Sequence, residues 1–351
     1  MSRSDSPAFT DALSADLASL GQSLGVGAFP NGHLFANVMD ALNGLPPQSI
    51  AWADLKIAEL ARLYRSWAET RSGILILVAA DMPLQMLEKW PSLAPLFIFH
   101  RDGYAREAAL NLLSDAPASP FFLAALAWRL NDWAAPVRNA ARRYAERVLP
   151  ITAAQVIADT APFLLDRWYH WGRWGVDDTT NLYESLGRSD VAIILARRFC
   201  ENATGPLGKQ LQYALRGPSL DQYLPSLFRD ATQPSVRAVA LKTLMRRRAS
   251  WPIGYGREWI DRRFNLSRRV TLFAHRDIDL SFPVENLIRE GIRDRSVVVR
   301  RIAVSALILH RASFPNIDEA VASIANDPNK TIRERATFLA SKMAEENATG
   351  V

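Results

Sequence analysis

The chain has 351 residues, 49% of them hydrophobic and 22% charged, with one cysteine and a net charge of +6. That much apolar material offsets the entropy of ordering and excludes intrinsic disorder. The single Cys200 excludes a disulfide scaffold and a cysteine-based zinc site. The longest strongly apolar run, 74–80, falls far short of the roughly 20 residues that span a bilayer, so no membrane association is expected.

The first residues, MSRSDSPAFTDALSADL, lack the apolar centre of a secretory signal, and the expected location is the cytoplasm. Residues 1–100 show no regular pattern and read as an irregular helical cap. Within them, 74–78 is the one stretch that could pass for a strand; its helical flanks predict a buried helix instead. From residue 101 onward the pattern becomes periodic. Five segments align: RDGYAREAALNLL (101–113), NDWAAPVRNAARRYA (131–145), RDATQPSVRAVALKTL (229–244), RDRSVVVRRIAVSAL (293–307) and NDPNKTIRERATFLA (326–340). Each carries an aspartate, a short polar or proline-containing turn and then an arginine: Arg106, Arg138, Arg237, Arg300 and Arg333. Three residues on comes alanine (Ala109, Ala141, Ala240, Ala303, Ala336), and seven on a small or aliphatic residue. Offsets of three and seven share one face of an α-helix. The aspartate stands where an N-cap accepts backbone N–H groups, and the alanine where the helix must lie close against a neighbour.

The arginines are 32, 99, 63 and 33 residues apart. These gaps fit one, three, two and one periods of 32–33, which predicts degenerate repeats near 171, 204 and 269, and another upstream near 73. A second helix precedes the signature one in the clearest cases: PFFLAALAWRL (120–130), PVENLIREGI (283–292) and NIDEAVASIA (316–325). Prolines, Pro120 and Pro162 among them, recur at expected helix starts and breaks.

The aspartate, spacer, aliphatic–arginine pair and following alanine resemble the second helix of HEAT repeats, most clearly at Asp132/Val137/Arg138/Ala141, Asp294/Val299/Arg300/Ala303 and Asp327/Ile332/Arg333/Ala336. The resemblance implies an all-α fold, a right-handed α-solenoid of stacked antiparallel helix pairs of the armadillo-like type. It also implies a buried ladder between successive repeats, with Asp132, Arg138, Asp294, Arg300, Asp327 and Arg333 as its members. Residues 101–351 would then form the repeats, with a degenerate segment at 151–228, and join the cap in one continuous solenoid. A HEAT architecture implies no particular reaction.

No phosphate-binding glycine loop or G-x-S-x-G elbow is present. His33, His100, His170, His275 and His310 lack the spacing of a metal-binding helix, so neither cofactor nor metal is expected. Cys200 reads as a small apolar residue, although Arg197 and Arg198 beside it could lower its pKa.

Two clusters point to function. Residues 236–311 hold 17 basic and 7 acidic side chains, while the segments on either side are slightly acidic. Within that stretch, residues 245–276 interleave Arg246, Arg247, Arg248, Arg257, Arg262, Arg263, Arg268 and Arg269 with Trp251, Tyr255, Trp259 and Phe264. Guanidinium forks pair with phosphates and aromatic faces stack on bases, so this reads as a surface for nucleic acid or an acidic protein. On the alternative reading it is a solvated helical face whose aromatics, Trp259 included, are core. The second cluster, DRWYHWGRWGVDD (166–178), packs Trp168, Trp171, Trp174 and His170 beside Asp166, Arg173, Asp177 and Asp178. Its aromatics either fill an irregular junction or form a cage. The cage reading resembles a HEAT-like family, the alkylpurine DNA glycosylases, in which tryptophans hold a cationic base and an aspartate stabilises the charge developing at the sugar. Two functions follow as expectations. One is a non-enzymatic scaffold that binds a partner protein in its groove. The other is a nucleic-acid-binding protein using 245–276, possessing base-excision chemistry if the second cluster is a cage.

Overall fold

A computed structural model describes residues 9–64, 66–69, 75–78, 81–167, 171, 176–280 and 282–349. Most of them are helical, as expected of the all-α class. The chain divides into two compact units, residues 1–191 and 192–351.

In the first unit the helices are α1 (Asp11–Gly25), α2 (Gly32–Asn43), α3 (Ile50–Leu60), α4 (Met82–Lys89), α5 (Ala94–Phe97), α6 (Gly103–Leu112), α7 (Pro120–Leu130), α8 (Ala135–Val148), α9 (Ala154–Arg167) and α10 (Val176–Leu186); α11 (Ser189–Glu201) runs across the division. Local chemistry sets their starts. Thr10 accepts the Leu13 N–H, Asn31 accepts those of His33 and Leu34, and Ser119 accepts that of Phe122 with Pro120 at the first helical position. Pro162, expected at a break, lies inside a continuous α9. Between α3 and α4, β1 (Ser66–Glu69) pairs antiparallel with β2 (Leu75–Val78). Within the buried helix expected at 74–78, the described residues 75–78 are therefore a strand: a short apolar run fits a paired strand as well as a helical turn, and periodicity does not separate the two.

The second unit contains α12 (Leu207–Ala214), α13 (Leu224–Asp230), α14 (Pro234–Arg246), β3 (Arg248–Asp261), β4 (Leu266–Asp277), α15 (Val284–Ile292), α16 (Val297–His310), α17 (Ile317–Ala325) and α18 (Lys330–Thr349). Helices α13/α14, α15/α16 and α17/α18 pack as adjacent pairs, with α14 against α16 and α16 against α18. The five signature alanines are all buried. Close approach is visible at Gly291 of α15, where a Cβ would meet that of Ala303 at 2.8 Å.

A polar ladder runs beneath this packing. Arg106 forks onto Asp132 through Nε and Nη2, both at 2.9 Å. Arg237 forks onto Asp294 at 2.8 and 3.0 Å, and Arg300 onto Asp327 at 2.7 and 3.1 Å. All five signature arginines also donate from Nη1 to the carbonyls six and five residues upstream, such as Asp132 and Trp133 for Arg138, and Asp327 and Pro328 for Arg333. Each arginine thus ties its own turn to itself, and three of them reach a further aspartate. The aspartates sit differently from expectation. Asp132, Asp294 and Asp327 accept the N–H two residues on, at Ala134, Ser296 and Asn329, ahead of the helix rather than as its cap. Asp102 alone of the set caps, at Tyr104. The rung position six residues before the arginine is Ala231 rather than Asp230 in one repeat, and His100 rather than Asp102 in another.

In the first unit the ladder acquires an extra charge. Arg129 of α7, buried, donates to Asp132 at 2.8 Å and to Asp54 of α3. Burial is the largest influence on Asp54 and raises its carboxyl despite Arg129. Burial would raise Asp132 and Asp327 too, but the arginine forks, the turn N–H groups and the nearby positive charges together bring both below the ordinary value. The sign follows. A carboxyl held low in the fold contributes stability that is present above its unfolded value of about 3.9 and is lost as pH falls through the folded value. Asp54 acts in the opposite sense, so the second unit gives the cleaner test. Its stability should drop from about pH 5 downward, and Asp327→Asn should flatten that acid slope in urea titrations at stepped pH. An equally steep slope in the variant would remove Asp327 as its source.

Candidate functional site: a basic β-ribbon and the groove at its root

The basic stretch 245–276 is not a helical repeat. Arg246 ends α14, Arg247 turns the chain with φ 49°, and residues 248–277 form an antiparallel ribbon closed by the turn 262–265. A strand of this length is roughly 40 Å long at ~3.3 Å per residue. The degenerate repeat expected near 269 is therefore strand β4. The 63-residue gap between Arg237 and Arg300 is one repeat step, since removing the thirty-residue ribbon leaves thirty-three. Accordingly Arg237 reaches Asp294 directly across it.

The ribbon is clamped at its root. Arg276 forks onto Asp221, with 2.8 Å from Nη1 and 2.6 Å from Nη2, and donates to the carbonyls of Leu215, Arg216 and Gly217. Ala249 is buried, Arg216 stacks over Trp251 at 5.6 Å, and the Ile278 N–H returns to the Arg247 carbonyl. Beyond the root the ribbon is exposed. Tyr255 is 56% exposed, Phe264 78% and Trp259 40%, so Trp259 is not the core residue that helical periodicity implies.

Register sorts the side chains. Pro252 pairs with Phe273 and Gly254 with Leu272, so Ile253 is a bulge; Ile260 is a second one. Partners across a ribbon share a face. One face therefore carries Arg248, Ser250, Tyr255, Arg257 and Trp259 opposite Asp277, His275, Thr271, Arg269 and Ser267, with Phe273 at its base. The other carries Trp251, Glu258 and Asp261 with Arg268 and Arg276.

The two faces differ in charge balance. On the second face Glu258 accepts from Arg268 at 2.6 Å, and that bond and charge hold its carboxyl below the ordinary value. Arg263 of the turn pairs with Asp261 at 3.1 Å in the same way. On the first face Arg248 pairs with Asp277 at 3.0 Å at the root. Above it Arg257 and Arg269 stand directly opposite one another, and among the described residues neither has a carboxylate partner. Arg269 lies 3.6 Å over the Tyr255 ring and Arg257 4.3 Å over Trp259, with Arg257 also donating to Ser267 at 2.7 Å. Like charges directly across a ribbon are destabilising. Ring stacking offsets part of that cost, and an anion between them would offset more.

The same face runs into a groove. A hollow of about 280 Å³ at the root is lined by Gln212, Val239, Lys242, Thr243, Arg246, Arg248, Ser250 and Phe273. A second, of about 450 Å³, shares Lys242 and Arg246 and continues across α16 to α18 past Val298, Arg301, Ser305, Leu309, His310 and Arg335. Five cations line the two hollows and no carboxylate does. Partial burial, and then the Arg246 charge, push the Lys242 ammonium below its ordinary value. The window 245–276 misses Lys242, Arg301 and Arg335, which lie on neighbouring helices. The signal for them was the helical stripe 298, 301, 305, 309 on the face away from the signature alanines.

The second cluster is only partly placed. Trp171 is buried edge-to-face against Trp128 and Phe163, at 5.8 and 5.7 Å between ring centres, which is a packing role. Asp166 is half-buried near the end of α9, and Asp177 and Asp178 fall in the first turn of α10. Trp168, His170, Arg173 and Trp174 lie outside the described residues. Burial raises the Cys200 thiol, with Asp230 and Glu201 adding to it, opposite to the lowering that Arg197 and Arg198 would give. Among the described residues no three potential metal ligands gather, and no helix is long and apolar enough to cross a membrane.

The chain matches no protein-family model, no curated protein and no solved structure.

Proposed function

We propose that this chain is a helical-repeat binding protein of the cytoplasm that holds nucleic acid along the cationic groove and ribbon face of its second unit. The stacked pairs α13/α14, α15/α16 and α17/α18 are, on this reading, turns of a right-handed HEAT-like solenoid, and the ribbon is an arm inserted between two of them. One observation carries it: Arg257 and Arg269 face each other without a carboxylate, on the face that continues into a groove whose cations, apart from Arg248, also lack a carboxylate partner among the described residues. Cations without a carboxylate partner, as Arg257, Arg269, Lys242, Arg246, Arg301 and Arg335 are among the described residues, suit a phosphate backbone.

Full-length protein titrated into labelled duplex and single-stranded oligonucleotides at about 50 mM salt, followed by fluorescence anisotropy, should show binding that weakens steeply with salt. Arg257→Glu with Arg269→Glu should weaken it more than about tenfold. Reversing Arg263 and Arg268, whose charges are already paired, should do less. Absence of binding to every oligonucleotide at low salt would end this reading. The partner-protein reading then stands on the ribbon tip, where Ile260, Phe264 and Leu266 are each at least half exposed.

A further inference from the structure

The nucleic-acid reading leaves open what form of strand the track takes. We infer that it takes single-stranded nucleic acid, with the ribbon face supplying stacking platforms for bases and the groove supplying the phosphate channel. This inference rests on the reading above and narrows it.

Duplex binding without sequence preference needs cations alone, because the bases are stacked on each other and only the backbone is presented. A single strand exposes π-faces, and proteins that hold it alternate cations with aromatic rings. The first ribbon face does so. Tyr255, Arg257 and Trp259 follow one another at every second position of β3, and Arg269 stands between Thr271 and Ser267 on β4. The two rings are four residues apart, about 13 Å along the strand. Each is supported by a guanidinium, Arg269 on Tyr255 and Arg257 on Trp259. Both stay substantially exposed, at 56% and 40%. A ring that carries a guanidinium on one face and remains solvent-exposed can stack a flat partner on its other face. On the opposite face the central pairs are Gly256 with Val270 and Glu258 with Arg268, which offer neither rings nor net charge. The asymmetry places rings and unpaired cations together on the face that continues into the groove.

The groove agrees in scale. Its hollows of about 280 and 450 Å³ have room for individual phosphates, sugars or bases. Lys242 and Arg246 border both hollows, so a strand leaving the ribbon passes them before meeting Arg301 and Arg335.

The test uses the full chain with labelled dT20, rU20, a mixed-sequence 20-mer and its 20-base-pair duplex. Single strands, DNA or RNA, should bind at least tenfold more tightly than the duplex, with log affinity falling by ~0.7 per log salt for each phosphate neutralised. Tyr255→Leu and Trp259→Leu should each cost roughly tenfold on single strands and leave the weaker duplex binding unchanged. Tyr255→Phe and Trp259→Phe, which keep a ring, should restore single-strand affinity and show that the leucine variants lost stacking rather than folding. Equal or tighter duplex binding, or leucine variants that bind single strands as well as the parent, would overturn the single-strand inference while leaving nucleic-acid binding in place. No binding to any of the four probes would overturn both.

Discussion

Truncating Arg237 to alanine should lower the unfolding free energy of the second unit by about 3–5 kcal/mol, the usual cost of removing one partner of a buried ion pair. Among the described residues Arg237 is the largest fully buried side chain. Its guanidinium satisfies four acceptors: both oxygens of Asp294 and the carbonyls of Ala231 and Thr232. Alanine leaves Asp294 charged and unpaired, and Asp294 itself fixes the turn into α16 through the Ser296 N–H. The damage therefore passes from one repeat to the next. Arg237→Lys should recover little, since a point charge cannot fork onto a carboxylate. Arg237→Met with Asp294→Leu should recover much of the loss, because no buried charge is then left alone. Urea denaturation followed by circular dichroism measures all three. A loss below about 1 kcal/mol for the alanine variant would mean that the ladder contributes little to stability.

The helices of the repeat region are readable because their chemistry is local and their periodicity follows from packing. An alanine three residues after each arginine has to be small to admit a neighbour, and Gly291 against Ala303 shows how close that neighbour comes. The ladder is readable in its residue types but less so in its partners. Spacing within one segment does not tell which aspartate an arginine reaches, and Arg237 reaches one 57 residues away. The ribbon is hidden for physical reasons. A half-buried strand alternates apolar with polar residues, whereas this one is exposed on both faces and alternates aromatics with arginines instead. Two bulges, at Ile253 and Ile260, shift its phase. Its turn, 262–265, lacks the Asn-Gly or Asp-Gly pair that marks a two-residue hairpin, and only Asn265, with φ 50°, shows left-handed backbone there. The remaining signal was composition, since Trp, Tyr, Ile, Val, Thr and Phe favour strands. Its length, close to one period, lets it pass for a repeat. The cations of the groove are hidden in another way: Lys242, Arg301 and Arg335 are far apart in sequence and meet only because α14, α16 and α18 lie side by side.

Replacing residues 252–273 with Asn-Gly, so that the paired residues Trp251 and Ala274 flank a two-residue turn, should separate the ribbon's two possible roles. Strands β3 and β4 pack chiefly on each other, and the clamp at Arg276, with Ala249 and Trp251, is retained. The helical fold should then melt at the parent's temperature, because the excised segment is largely exposed and adds little buried apolar area. Binding should respond in the opposite way. The excision removes Arg257 and Arg269, together with Arg262 of the turn, and both stacked rings. At ~0.7 per neutralised phosphate the salt slope for single strands should shrink by about 2, and affinity at fixed salt should fall by at least about tenfold. The groove cations Lys242, Arg246, Arg248, Arg301 and Arg335 remain, so weak binding should persist and still depend on salt. Charge-removing substitutions along the groove in the shortened protein, Arg246→Gln with Arg301→Gln, should then weaken further what is left. Unchanged affinity in the shortened protein would take the ribbon out of the binding surface. A melting temperature lowered by several degrees would make it part of the core, and neither result is expected of an arm clamped only at its root.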